Sequence, residues 1–165
     1  MHERESKRTP ILERIKPYEQ KVSCGPASLF IIYRAFGLEK TEKEIASEME
    51  LTKAGGSGWG ELVKHAKKMA FKVLFRRNTT LNELWLVYGN DLPIIVGWMA
   101  GDEEDLSPHF SVVKALSEET IKLVDPRYSE YTNVPFTEFG KRWRDDEVSR
   151  GILIFSKERK RVRKE

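Results

Sequence analysis

Apolar positions change their rhythm along the chain. After Cys24, the residues Leu29, Ile31, Ile32, Tyr33 and Phe36 leave a helix almost no polar face, which marks it for the interior. Ser23 stands where an N-cap belongs, Pro26 falls in the first turn, and Gly37 provides a stop. A capping box, Thr41-x-x-Glu44, opens a second helix running to about Met49. A third is expected from Trp59 to Ala70, behind a glycine-rich loop. "FKVLFRR" alternates as a strand does, and a further capping box, Thr80-x-x-Glu83, starts a short helix ending near Gly89. "IIVGWM" reads as a buried strand, "PHFSVVKAL" and "TIKLVDP" as two strands joined across "SEE", and "GILIFS" as a last strand after a short helix over Thr137–Arg144. Ahead of all this, "ILERIKPYEQ" reads as an extended lead-in, because Pro17 disfavours helix at Lys16. Helices come first and strands later, an α+β order rather than βαβ alternation.

Length and charge refine this picture. The 165 residues suit one domain, and 39% hydrophobic with 33% charged residues suits a water-soluble one. We divide the chain into a mobile segment 1–10, a folded domain 11–156 and a basic tail 157–165. The tail holds six basic and two acidic residues, so the net charge of +3 belongs to it rather than to the domain. It has no aromatic side chain to stack a base, and a nucleic-acid partner is not expected. The opening "MHERESKRTP" has no apolar run, so no signal peptide is expected, and no segment approaches the length of a membrane span. A single cysteine excludes a disulfide framework and a multi-cysteine metal site, and points to a reducing cytoplasm. No cofactor motif is present, since "GGSGWG" lacks the lysine and spacing of a P-loop and no strand precedes it. It reads as a loop near a cleft, with Trp59 lining a subsite, while Trp85, Trp98 and Trp143 read as core. "DEED", Asp102–Asp105, reads as a solvated turn.

Cysteine at a helix start is chemically suggestive. A thiol titrates near ~8.5, and free N–H groups at a helix N-terminus favour the thiolate. Cys24 is therefore the candidate nucleophile. Of the three histidines, His2 lies in the mobile lead and His65 reads as a helix-flank residue, whereas His109 begins a strand directly after an acidic loop. His109 is the candidate base. Asp125, ending the next strand before Pro126, is the candidate orienter of its imidazole. A three-residue turn over Ser117–Glu119 pairs Asp125 with Ser111 and sets it diagonal to His109 on one face. A two-residue turn sends the pair to opposite faces unless a bulge compensates. Gln20 supplies an amide donor for an oxyanion beside the Cys24 N–H. Together these residues fill the roles of a cysteine acyl-transfer mechanism.

"Q-K-V-S-C-G-P-A-S-L", "H-F-S-V-V-K-A-L" and "I-K-L-V-D-P" resemble the papain-like cysteine peptidases of the bacteriocin-processing type, family thirty-nine, and their stand-alone relatives. "F-T-E-F-G-K-R-W" resembles the stretch that follows the family's Asp-Pro, and the likeness runs from about Tyr18 to Phe155. After the nucleophile, "GPAS" is closer to the stand-alone group than to the leader-processing domains of transporters. The resemblance implies a papain-like α+β fold, a helical part packed against a small antiparallel sheet with the cleft between them. It implies Cys24 as nucleophile, His109 as base, Asp125 as orienter and Gln20 as oxyanion donor, acting on a peptide or protein substrate. Two rival readings use the same groove: a thiol-dependent acyl or peptidyl transferase, and a peptide-binding module without turnover. A third is a nucleic-acid adaptor using the basic tail.

Overall fold

In a computed structural model, which describes residues 10–52 and 56–157, the apolar run after Cys24 forms helix α1 (Cys24–Ala35). The expected lead segment and basic tail lie outside the described residues except for Pro10 and Lys157, and His2 lies outside with them. Leu29, Ile31, Ile32 and Tyr33 are fully buried, as an all-round apolar helix requires. Gly37 closes α1 at φ +79°, where its N–H reaches Arg34 O and the next N–H, of Leu38, reaches Tyr33 O. At the other end Ser23 is extended and holds the N-cap position, but its hydroxyl makes no capping bond.

Both expected capping boxes form, opening α2 (Glu42–Glu48) from Thr41. Helix α3 (Trp59–Lys68) stops short of Ala70, which turns to φ +66° on the way into strand β1 (Phe71–Arg76). The second box, from Thr80, opens α4 (Leu81–Gly89). Strands β2 (Ile94–Ala100), β3 (Ser107–Leu116) and β4 (Thr120–Val124) follow. Next come β5 (Tyr131–Pro135), α5 (Phe136–Arg142) and β6 (Ile152–Lys157). Ile11–Arg14 is a short 3-10 turn rather than extended chain, held by Asp91, whose carboxylate accepts the N–H groups of Ile11 and Leu12 at 2.8 and 3.0 Å. β5 was not expected; it is an edge strand with only Val134 buried, so it carries no apolar alternation.

The six strands form one sheet in the order β1-β6-β2-β3-β4-β5, every neighbouring pair antiparallel. Helices α1, α2 and α3 pack with Ile95, Phe110, Val112, Val124, Leu153 and Phe155. Ile94, Val96, Trp98, Val113, Leu123 and Ile152 pack instead with Leu84 of α4 and Phe139 of α5. The fold is the expected α+β arrangement of helices on an antiparallel sheet, with helices on its second face as well. Covering both faces explains why β2 is buried along its whole length and reads as an unbroken apolar run. Trp98 and Trp143 are core as expected, while Trp85 is an exposed residue of α4.

The β3–β4 hairpin departs from expectation in a way that matters. Its loop is Glu118-Glu119, bracketed by the Ser117 N–H to Thr120 O bond, so near the turn Leu116 pairs with Ile121. That two-residue connection alone would put His109 and Asp125 on opposite faces. A bulge between Val113 and Ala115 absorbs one residue, and beyond it Val112 pairs with Val124. The parity is thereby restored, and Asp125 returns to the face of His109.

Candidate active site

Cys24 is the first residue of α1, and its thiol is half-buried. It lies near the start of β3, within electrostatic reach of the His109 imidazole and the Phe110 backbone N–H. His109 is only 8% exposed, and its Nε2 donates to Asp125 Oδ1 at 2.6 Å. With Nε2 engaged, Nδ1 is the ring nitrogen left for Cys24. Asp125 is fully buried, one residue beyond β4. His109 and Asp125, far apart in the chain, are thus joined by a hydrogen bond, with Cys24 close enough to His109 to be influenced by its charge.

Burial is the strongest influence on each of the three and disfavours the charged forms. The contacts among them outweigh it. Cys24 lies below the ordinary thiol value, because the His109 hydrogen bond and charge and the Phe110 N–H favour the thiolate. His109 is held up at about 9 by its bonds to Asp125 and Cys24. Asp125 is held well below the usual carboxylate range by His109 and Arg127. Each shift has the sign expected of a thiolate–imidazolium pair backed by a carboxylate.

Arg127 was not singled out from the sequence. Its backbone N–H donates to Asp125 Oδ1 at 3.0 Å, and its guanidinium donates to Oδ2 through Nε at 3.1 Å and Nη2 at 2.6 Å. The carboxylate thus spends one oxygen on the imidazole and faces a fork of donors with both. The only local signal is the i, i+2 spacing of Asp and Arg in "DPR", common in ordinary turns.

Gln20 is tied to the same strand end, its N–H donating to Pro126 O at 2.6 Å. Its side-chain Oε1 is buried and has no partner among the described residues. Between Gln20 and Cys24, the backbone N–H groups of Lys21, Val22 and Ser23 all donate to the Glu42 carboxylate, another residue not singled out from the sequence. His65, by contrast, is buried in α3; Tyr33 Oη donates to its Nδ1 and its Nε2 donates to Glu48, both at 2.8 Å. Its hydrogen bonds are structural and do not reach Cys24.

Trp59 packs between Phe75 and Phe110, next in sequence to His109, and donates through Nε1 to Asp145 at 2.8 Å. The ring also lines a groove of about 740 Å³ with Val63, Phe75, Arg77 and Val148. Asp102–Asp105 form an exposed turn closed by the Asp105 N–H to Asp102 O bond. Among the described residues, no cluster of His, Cys, Asp and Glu is placed to hold a metal ion, and no helix is long and apolar enough to cross a membrane.

The sequence profile of the Peptidase C39 family matches residues 14–158. Among solved structures, a C39-like peptidase from Bacillus anthracis is similar at TM-score 0.71 and 16% identity, covering 93% of this chain and 100% of that one. The peptidase domain of Streptococcus ComA, a bi-functional ABC transporter of a quorum-sensing pathway, is similar at TM-score 0.68 and 21% identity, covering 88% and 98%. A double-glycine-motif protease from an AMS/PCAT transporter, solved with its leader peptide, is similar at TM-score 0.63 and 19% identity, covering 86% and 92%. A comparison with curated protein sequences returns no match.

Proposed function

The chain belongs to the Peptidase C39 family, and on that premise we propose that it is a cysteine peptidase whose catalytic domain spans residues 11–156. The observation that carries the reading is the His109 Nε2 hydrogen bond to Asp125 at 2.6 Å, together with the lowering of the Cys24 thiol by the His109 imidazole. Cys24 as thiolate attacks a substrate carbonyl. The C=O π bond opens, and the oxyanion is met by the Cys24 backbone N–H and the Gln20 amide. Collapse expels the amine, which takes its proton from the His109 imidazolium, and leaves an acyl thioester on Cys24. His109, now neutral, removes a proton from water as that water attacks the thioester; the acid departs and the thiol is regenerated. Asp125 holds the imidazole orientation throughout. A peptide or protein is the substrate class this chemistry takes.

The test is turnover of a broad peptide library by the reduced protein, read by mass spectrometry in the presence and absence of added amines. Cleavage that disappears in Cys24→Ala supports the proposal. Products dominated by amine adducts would replace hydrolysis by acyl transfer. Peptide binding with no Cys24-dependent cleavage of any library member would overturn the proposal in favour of a binding module.

A further inference from the structure

Between Gln20 and the nucleophile the backbone is held by one remote carboxylate. Glu42, the first residue of α2 and only 2% exposed, accepts the Lys21 N–H on Oε1 at 2.8 Å. On Oε2 it accepts the Val22 and Ser23 N–H groups at 2.7 and 3.1 Å, and Tyr18 Oη donates to Oε1 at 2.7 Å. At the other end of the segment, the Gln20 N–H is fixed on Pro126 O. Every backbone N–H from Gln20 to Ser23 is therefore committed.

We propose that Glu42 is a positioning residue for the reaction: it sets the Lys21–Ser23 backbone, and through it the placement of the Gln20 amide and the Cys24 N–H around the oxyanion. The inference rests on the Cys24 and Gln20 roles proposed above. Side-chain packing does not hold this segment, since Lys21 is exposed and Val22 is 44% exposed. The ordinary device for starting a helix does not hold it either, since the Ser23 hydroxyl makes no capping bond. Burying a carboxylate is costly unless donors meet it, and here they converge from three consecutive residues. Glu42 is itself fixed, because the Thr41–Glu44 capping box sets the first turn of α2. Oxyanion donors work only at about 2.7–3.1 Å from the developing charge, so small shifts of this segment translate into rate.

Glu42→Gln keeps the shape but presents an NH2 group to two of the four donors in either amide orientation. The expected result is a kcat at least ~10-fold lower, with KM within about twofold. Affinity for a peptide aldehyde, whose hemithioacetal oxygen occupies the oxyanion position, falls in parallel. Alkylation of Cys24 by iodoacetamide, which builds no oxyanion, keeps its wild-type rate. Glu42→Asp, which withdraws the carboxylate by one methylene, shows the same split if the Gln variant fails to fold. Unchanged kcat and aldehyde affinity, or an alkylation rate falling in step with kcat, would overturn the proposal. Gln20→Ala separates the two layers. If it alone leaves kcat and aldehyde affinity unchanged, the Gln20 assignment fails while Glu42 acts through the Cys24 N–H.

Discussion

Asp125→Asn is nearly isosteric, so it perturbs charge far more than shape. In the wild type the carboxylate receives the His109 imidazole at 2.6 Å and the fork of Arg127. Burial pushes His109 toward its neutral form, yet the bonds to Asp125 and Cys24 hold it at about 9. A hydrogen bond to a charged partner contributes about 1.5–3 kcal/mol, and about 1.4 kcal/mol moves a pKa by one unit. Loss of the anion therefore lowers the imidazolium by about one to two units, into the range of about 7–8. The assay is kcat/KM against pH on a cleaved peptide. The wild type is expected to lose activity as pH rises through about 9, where the imidazolium deprotonates. In the variant that alkaline limb moves down to about 7–8, costing about 2- to 10-fold at pH ~8. Stability follows the same groups. Asp125 has a depressed folded pKa, so its contribution is present above the ordinary carboxylate value near ~4 and is lost as pH falls further. His109 is raised, so its contribution is complete below ~6.5 and is lost as pH rises through the folded value. An alkaline limb that stays in place in Asp125→Asn would refute the claim that this carboxylate holds the imidazolium.

Three further outcomes are expected. Arg127→Met removes the guanidinium that helps keep Asp125 ionised, so the Asp125 pKa rises and the acid unfolding midpoint, followed by circular dichroism, moves to higher pH. Gly97→Val forces a Cβ to within 2.5 Å of the Trp59 ring. Overpacking of this kind costs about 1–3 kcal/mol, read as a lower urea midpoint with an unchanged m-value. Tyr33→Phe leaves His65 Nδ1 buried without its donor. That costs about 1–3 kcal/mol of stability, and kcat of the folded fraction is unchanged because this network does not touch Cys24.

What could be read along the chain was what local chemistry decides. The buried helix behind Cys24, its glycine stop and both capping boxes depend on residues within a turn of one another, and all appear. The 3-10 turn at Ile11–Arg14 depends on Asp91, about eighty positions away, and nothing local announces it. β5 pairs only with β4 and buries one side chain, so it left no periodic trace. Parity made the meeting of His109 and Asp125 conditional on turn length. The actual loop has the wrong parity, and the bulge at Lys114 corrects it, a detail that hydrophobic alternation does not encode. Arg127 and Glu42 were missed for different reasons. Arg127 looks like a turn residue, while Glu42 acts on backbone N–H groups about twenty positions earlier, which are identical for every residue type.

The central claim is that Cys24 carries an acyl group drawn from a peptide, with His109 moving the proton. It is tested most directly by intact-protein and tandem mass spectrometry of a rapid acid quench, taken while the reduced enzyme turns over an activated peptidyl ester. The account predicts a transient adduct equal in mass to the acyl portion, located on Cys24, absent from Cys24→Ala and longer-lived in His109→Ala once formed. No adduct on Cys24, or an adduct of equal lifetime with and without His109, would contradict it.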